Sequence, residues 1–160
     1  MQILVTGDKG YIGTALCKQL NDLKYDLVGL DIDLYDDFVK TKRNYKRIKK
    51  DIRNIDLKDL KGIDCVIHLA AISNDPLGEL SGKITYDINY KATVKLAKLA
   101  KKSSVETFIY ISTQSVYGIS SNISKEIKED TKNIKPLTAY AKSKYKAEKV
   151  LLKLASKSFK

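Results

Sequence analysis

Tyr140 and Lys144 stand four residues apart at the start of an apolar-periodic stretch, a spacing that puts both side chains on one face of a helix. An ammonium beside a phenol favours the phenolate and draws its pKa from about 10 toward neutrality, which makes the tyrosine usable as a general acid or base. Tyr-x-x-x-Lys alone arises readily by chance in a chain with 10 tyrosines and 30 lysine and arginine residues, so its weight depends on its company. Hydroxyls keep it company. The segment Ser112-Thr113-Gln114-Ser115-Val116-Tyr117-Gly118 ends a β-branched and aromatic run, Thr107 to Ser112, that reads as a strand. Open parallel sheets bind their ligands at such carboxyl ends.

Near the N-terminus, Gly7-Asp8-Lys9-Gly10-Tyr11-Ile12-Gly13 forms a G-x-x-G-x-x-G loop between an apolar strand, Ile3 to Thr6, and a helical pattern carried by Ile12, Leu16 and Leu20. Gly7, Gly10 and Gly13 would permit a tight turn, backbone approach to a pyrophosphate and close helix-on-strand packing, with N–H groups at the helix start facing the anion. An ordinary strand-to-helix turn would also use glycines. What separates the two is Asp31, eighteen residues after Gly13 at the end of a second strand, Asp26 to Leu30. A carboxylate there suits the hydroxyls of an adenosine ribose and repels a 2′-phosphate, and Asp33 adds negative charge where NADP would need an arginine. NAD is the expected cofactor.

The elements that must position these groups alternate along the chain. Arg47 to Lys50 reads as a short third strand, Asp64 to Leu69 as a fourth, Ile84 to Lys102 as a long helix, Gln114 to Pro136 as loop, and Thr138 to about Ser156 as a last helix. This order predicts an α/β fold, a Rossmann-type doubly wound parallel sheet in three αβα layers, as one domain over residues 1–160. A right-handed crossover after the last helix should deliver another parallel strand. The sequence stops there, so the outer edge of the fifth strand is expected to be unpaired.

Together these residues resemble the extended short-chain dehydrogenase/reductase family, in its NAD-dependent nucleotide-sugar epimerase branch. The likeness comprises the glycine loop, Asp31, Asp51-Ile52-Arg53, His68-Leu69-Ala70-Ala71, Asn89, the Ser112 to Gly118 segment, and Tyr140 with Lys144. It implies that Tyr140 is the catalytic acid/base, that Lys144 tunes it and holds the nicotinamide ribose, and that Thr113 hydrogen-bonds the reacting oxygen. It implies further that Gly7, Gly10, Tyr11, Ile12 and Gly13 contact the pyrophosphate, that Asp51 and Ile52 meet the adenine, and that His68, Leu69, Ala70 and Ala71 line the cofactor mainly through backbone. Asn89 is expected to be a structural support. The segment Ala71 to Pro76 with Gly78-Glu79-Leu80 points to epimerase-like members. Sugar 4,6-dehydratases of the family carry an Asp-Glu pair after the hydroxyl residue, and here Gln114 and Ser115 stand instead, which argues for an epimerase or simple oxidoreductase. Full-length relatives are about twice this long, adding strands and a substrate-gripping domain.

Composition bounds the rest. With 160 residues, 43% apolar, the chain can bury one ordinary core. No apolar run approaches the ~20 residues of a membrane span, and Met1 to Val5 lacks the basic segment of a secretory leader, so a cytoplasmic location is expected. Cys17 and Cys65 match no metal spacing and read as core residues. The formal charge of +11 concentrates in Lys40 to Lys50, but without an aromatic stacking platform this reads as a solvated surface, and nucleic acid is not the expected partner. Two function classes follow: a sugar-nucleotide epimerase or oxidoreductase, and an NAD-binding module silent alone or completed by a partner chain. Val94, Ala97 and Leu99, with Ala147, Val150, Leu151 and Leu154, offer the two long helices as a homodimer contact that competes with packing on the sheet.

Overall fold

In the computed structural model, residues 1–34, 44–73, 75–119, 126–132 and 134–160 are described. Lys40, Lys42 and Arg43 of the basic stretch, and Asn74, lie outside them. Five strands form one parallel sheet: β1 (Gln2–Thr6), β2 (Asp26–Asp31), β3 (Lys46–Lys49), β4 (Cys65–His68) and β5 (Thr107–Tyr110), in the order β3-β2-β1-β4-β5. The chain winds from β1 outward to β3, crosses back beside β1 with β4, and so leaves the carboxyl ends of β1 and β4 adjacent at the switch point where such sheets take ligands.

Strand alternation divides the core in two. Ile3, Val5, Leu27, Cys65 and Ile67 face α1 (Tyr11–Asp22), which contributes Cys17, Leu16 and Leu20. Leu4, Val28, Leu30 and Val66 face the other way, onto Leu96, Ala97 and Ala100 of α4 (Thr93–Lys102) and Leu151 and Leu154 of α5 (Ala139–Leu154). Three layers result, as the alternating pattern implies.

The predicted long helix is present but is not uniform. It starts earlier, with α3 (Gly82–Tyr86) capped by the Ser81 side chain, and widens into a π-turn at Asp87–Ala92 before α4. A short α2 (Asp75–Leu80), 3-10 turns at Ile52–Asn54, Leu57–Leu60 and Gln114–Tyr117, and an earlier end to β5 also depart from the sequence reading. Such boundaries depend on caps and single side chains that periodicity does not register.

The fifth strand's outer edge is not wholly unpaired, contrary to expectation. After α5 a tight turn between Ser156 and Phe159 brings the chain back, and Phe159 buries its ring against Phe108. Lys160 N–H then donates to Glu106 O (2.9 Å) and its carbonyl accepts from Phe108 N–H (2.8 Å), the bonding of a first residue in a parallel sixth strand. The crossover back to the edge of β5 is therefore made, within six residues of the helix end. Ile109 and Ile111, on the α1 face of this edge, stay 43% and 40% exposed.

Candidate functional site

The glycine loop leaves β1 under constraint from both neighbours: Gly7 N–H donates to Leu30 O at 2.7 Å and Leu69 N–H to Thr6 O at 3.0 Å. Gly7 has φ 76°, and a Cβ there would lie 2.8 Å from Ala70 N. At Gly13 a Cβ would lie 2.0 Å from Gly7 O, so α1 starts pressed against the loop that precedes it. Both positions demand glycine for the fold itself. Gly10 differs, since its Cβ would meet only Gly7 O, at 3.3 Å. It is the N-cap of α1, where no side-chain oxygen occupies the first-turn N–H groups, and Tyr11 beside it is 97% exposed. That helix end offers backbone donors and a positive dipole end to an anion.

Asp31 sits at the carboxyl end of β2 with its carboxylate turned to the loop, accepting from Lys9 N–H (3.2 Å) and Asp33 N–H (2.8 Å). Behind it lies a group of charges that the sequence did not disclose. Asp8 is buried, and Arg47 of β3 grips it through Nε (2.8 Å) and Nη2 (3.0 Å), with Tyr45 Oη at 3.0 Å. The same guanidinium holds Asp33 through Nη1 (3.2 Å) and Nη2 (2.7 Å), and Lys9 Nζ is 3.5 Å from Asp33. The Arg47 hydrogen bonds hold the Asp33 carboxyl below the usual carboxylate range. Asp51 caps the Ile52–Asn54 turn and is clasped by Arg53 at 2.5 Å, while the Ile52 side chain lies in the core.

At the end of β4, His68 is wholly enclosed, sharing hydrogen bonds with Thr6 Oγ1 (2.6 Å) and Thr93 Oγ1 (2.8 Å). Burial, with Lys144 nearby, lowers its pKa to about 3, so it is a neutral strut. Asn89, buried in the π-turn, accepts from Ile72 N–H (2.8 Å) and donates to Ile72 O (2.9 Å). It thereby holds the Leu69-Ala70-Ala71 strand end, which fits its expected supporting role.

The remaining predicted residues gather where α5 meets the end of β5. Thr138 caps α5 through Ala141 N–H (3.1 Å), so Tyr140 and Lys144 occupy the first two turns. Tyr140 is half-buried, close enough to Tyr110 to raise the latter's pKa after burial itself has done so. Lys144 is 5% exposed; its Nζ donates to Ile111 O and lies 4.2 Å from the Tyr110 ring centroid. Burial pushes this amine down to about 8, against the pull of Glu148. Thr113 is half-buried, its hydroxyl capping the next turn through Ser115 N–H (3.2 Å), beside a groove of about 470 Å³ lined by Ser112, Tyr117 and Glu148. Glu148 accepts from Ser112 Oγ at 2.7 Å and thus ties the helix to the strand end. Sequence reading passed over Glu148, although the run Tyr140, Lys144, Glu148 continues one face in steps of four.

The model of the NAD dependent epimerase/dehydratase family matches residues 3–159. The chain belongs to this family. It is 32% identical to a Bacillus subtilis protein described as the uncharacterized UDP-glucose epimerase YtcB, over 94% of this chain and 50% of that one. It is 31% identical to dTDP-D-glucose 4,6-dehydratase of Homo sapiens, over 92% and 45%. Among solved structures, UDP-glucuronic acid 4-epimerase from Bacillus cereus in complex with NAD superposes with a TM-score of 0.80 at 32% identity, covering 96% of this chain and 51% of that one. The chain thus spans about half the length of the curated relatives it matches.

The epimerase/dehydratase family is NAD-dependent, and the residues here fit that cofactor. The glycine loop leads into a helix start that no N-cap side chain bonds, and a carboxylate closes the neighbouring strand. Among the described residues no helix is long and apolar enough to cross a membrane, and no group of three or more His, Cys, Asp or Glu side chains is placed to hold a metal.

Proposed function

We propose that the chain carries the NAD half-site of a nucleotide-sugar epimerase, with Tyr140 as acid/base at a sugar hydroxyl. The observation that carries this is the convergence of Tyr140, Lys144 and Thr113 at one sheet end, with the Lys144 amine buried and its pKa drawn down to about 8. NAD held there would supply a reversible hydride acceptor for a sugar carbon. Tyr140 Oη takes the hydroxyl proton as that carbon becomes a carbonyl and gives it back after the face is exchanged. Lys144, one helical turn after Tyr140 in α5, holds the nicotinamide ribose. Thr113 Oγ1 hydrogen-bonds the reacting oxygen. Gly7, Gly10, Tyr11, Ile12 and Gly13 take the pyrophosphate, Asp31 the adenosine ribose, Asp51 and Ile52 the adenine, and Leu69 to Ala71 the cofactor's middle. Gln114 and Ser115, which cannot supply the proton for eliminating water at neutral pH, favour epimerisation over dehydration.

A UDP-hexose incubated with NAD and the chain, alone and with the C-terminal half of YtcB supplied in trans, tests the proposal by nuclear magnetic resonance of the sugar. Interconversion that is lost in Tyr140→Phe supports it; interconversion that persists in that variant overturns the role of Tyr140.

The edge of β5 supports a second reading, in which the chain is an NAD-binding module that acts only when completed by further polypeptide. Among the described residues the outer edge of β5 pairs with Lys160, and Ile109 and Ile111 present an apolar surface on the same edge. Two copies associating through α4 and α5 remain the proposed homodimer.

A further inference from the structure

A 2′-phosphate on the adenosine ribose needs a cation at the end of β2, and one is already there. Arg47 and Lys9 both lie within reach of that strand end, yet both are turned onto Asp33. We infer that Asp33, two residues beyond the ribose acid Asp31, is a second determinant of cofactor choice, acting by holding Arg47 and Lys9 away from a 2′-phosphate; this rests on the ribose placement proposed above.

The geometry is that of a built clasp. Asp33 is 4% exposed in its side chain and receives two guanidinium nitrogens, at 3.2 and 2.7 Å, as well as Lys9 Nζ at 3.5 Å. Its backbone N–H holds Asp31 at 2.8 Å, so the clasp and the ribose acid move as one unit. Arg47 is anchored from behind by Asp8, against which Gly29 leaves no room for a side chain: a Cβ there would stand 2.4 Å from the Asp8 carboxylate. Removing the Asp33 charge would therefore not release Arg47 into solvent. It would leave the guanidinium in place, with the Nη1 and Nη2 edge that faced Asp33 turned to the strand end.

Charge follows the same logic. Among the described residues of this clasp, Asp8, Asp31 and Asp33 set three carboxylates against Lys9 and Arg47, a surplus of one negative charge that repels a phosphate dianion. Neutralising Asp31 alone balances the group but leaves both cations engaged. Neutralising Asp31 and Asp33 together leaves one positive charge and an arginine fork, the arrangement that binds phosphate bidentately. Asp33 has φ 64°, a conformation asparagine adopts more readily than other non-glycine residues, so Asp33→Asn preserves the turn.

Calorimetric titration of NAD and NADP into the chain and its variants tests the clasp. Asp31→Ser is expected to weaken NAD several-fold and to leave NADP weak. Asp31→Ser with Asp33→Asn is expected to bind NADP about tenfold or more tightly than Asp31→Ser does, and adding Arg47→Ala should erase that gain. Asp33→Asn alone, which keeps every backbone contact, should shift the NAD/NADP ratio toward NADP while holding NAD within about threefold, and it decides the matter if the combined variants fail to fold by circular dichroism. An NADP gain as large in Asp31→Ser as in the double variant, or an unmoved ratio in Asp33→Asn, overturns the inference. Failure of the unaltered chain to bind NAD overturns the ribose placement as well, and is distinguishable because no variant is needed to see it.

Discussion

His68 is the chain's one histidine, and its enclosure between Thr6, Thr93 and Tyr110 makes it a reporter of the whole site. In the unfolded chain its imidazole takes up a proton below about 6.5; in the folded chain it does so only near 3. Between those values the unfolded state binds more protons, so stability is lost as pH falls, with a slope of up to about 1.4 kcal/mol per unit from this group. Denaturant unfolding at pH 7, 6 and 5 should show that slope in the native sequence and a flatter one in His68→Gln, above the range where carboxylates contribute. Equal slopes would remove His68 from the account. The roles proposed for Tyr140, Lys144 and Asp31 rest on residue type and spacing, and that for Thr113 on the family resemblance. Asp8 and Arg47 were not legible in the sequence: one read as a loop acid and the other as part of a lysine-rich stretch, because an ion pair between positions 39 apart leaves no periodic trace.

At the scale of elements, the glycine loop separates two jobs that the sequence motif merges. Gly13 is required by the fold, since a methyl group there collides with Gly7 O, whereas at Gly10 the methyl would meet Gly7 O at 3.3 Å, a tight contact relieved by a shift of a few tenths of an ångström. Gly13→Ala is expected to lower thermal stability by several degrees or prevent folding. Gly10→Ala should melt within about 3 °C of the native chain yet bind NAD at least tenfold more weakly, because its methyl group stands at the helix start proposed to take the pyrophosphate. Near-native NAD affinity in Gly10→Ala would move the pyrophosphate elsewhere. The strands and the two long helices were legible from alternation and helical periodicity. The π-turn at Asp87–Ala92 was not, for the feature at its centre is a side chain, Asn89, bonding to a loop backbone far along the chain. Lys160's pairing with β5 escaped because no strand was expected after α5, whereas the short Ser156–Phe159 turn suffices to return the chain to the sheet edge.

For the molecule as a whole, the two proposed associations use different surfaces. Of the apolar residues first assigned to a helix–helix dimer, Ala97 and Ala147 are fully buried within the protomer and Leu99, Leu151 and Leu154 pack on its core. Val94 and Val150 remain for a partner, joined by the 71%-exposed Leu152, which the sequence reading had not assigned there. If two copies meet there, light scattering at tens of micromolar should give a dimer that Leu152→Glu dissociates without loss of stability, and a monomer in the unaltered chain would eliminate the contact. A wide lysine excess on both helices opposes this association and should make it stronger as salt screens the repulsion. The cofactor half-site stands independently of either association, and calorimetric titration of NAD into the isolated chain tests it most directly. One saturable site, with NADP weaker and Asp31→Ala narrowing that difference while retaining pyrophosphate binding, is the result we predict; no binding, or NADP bound as tightly as NAD by the unaltered chain, would contradict it.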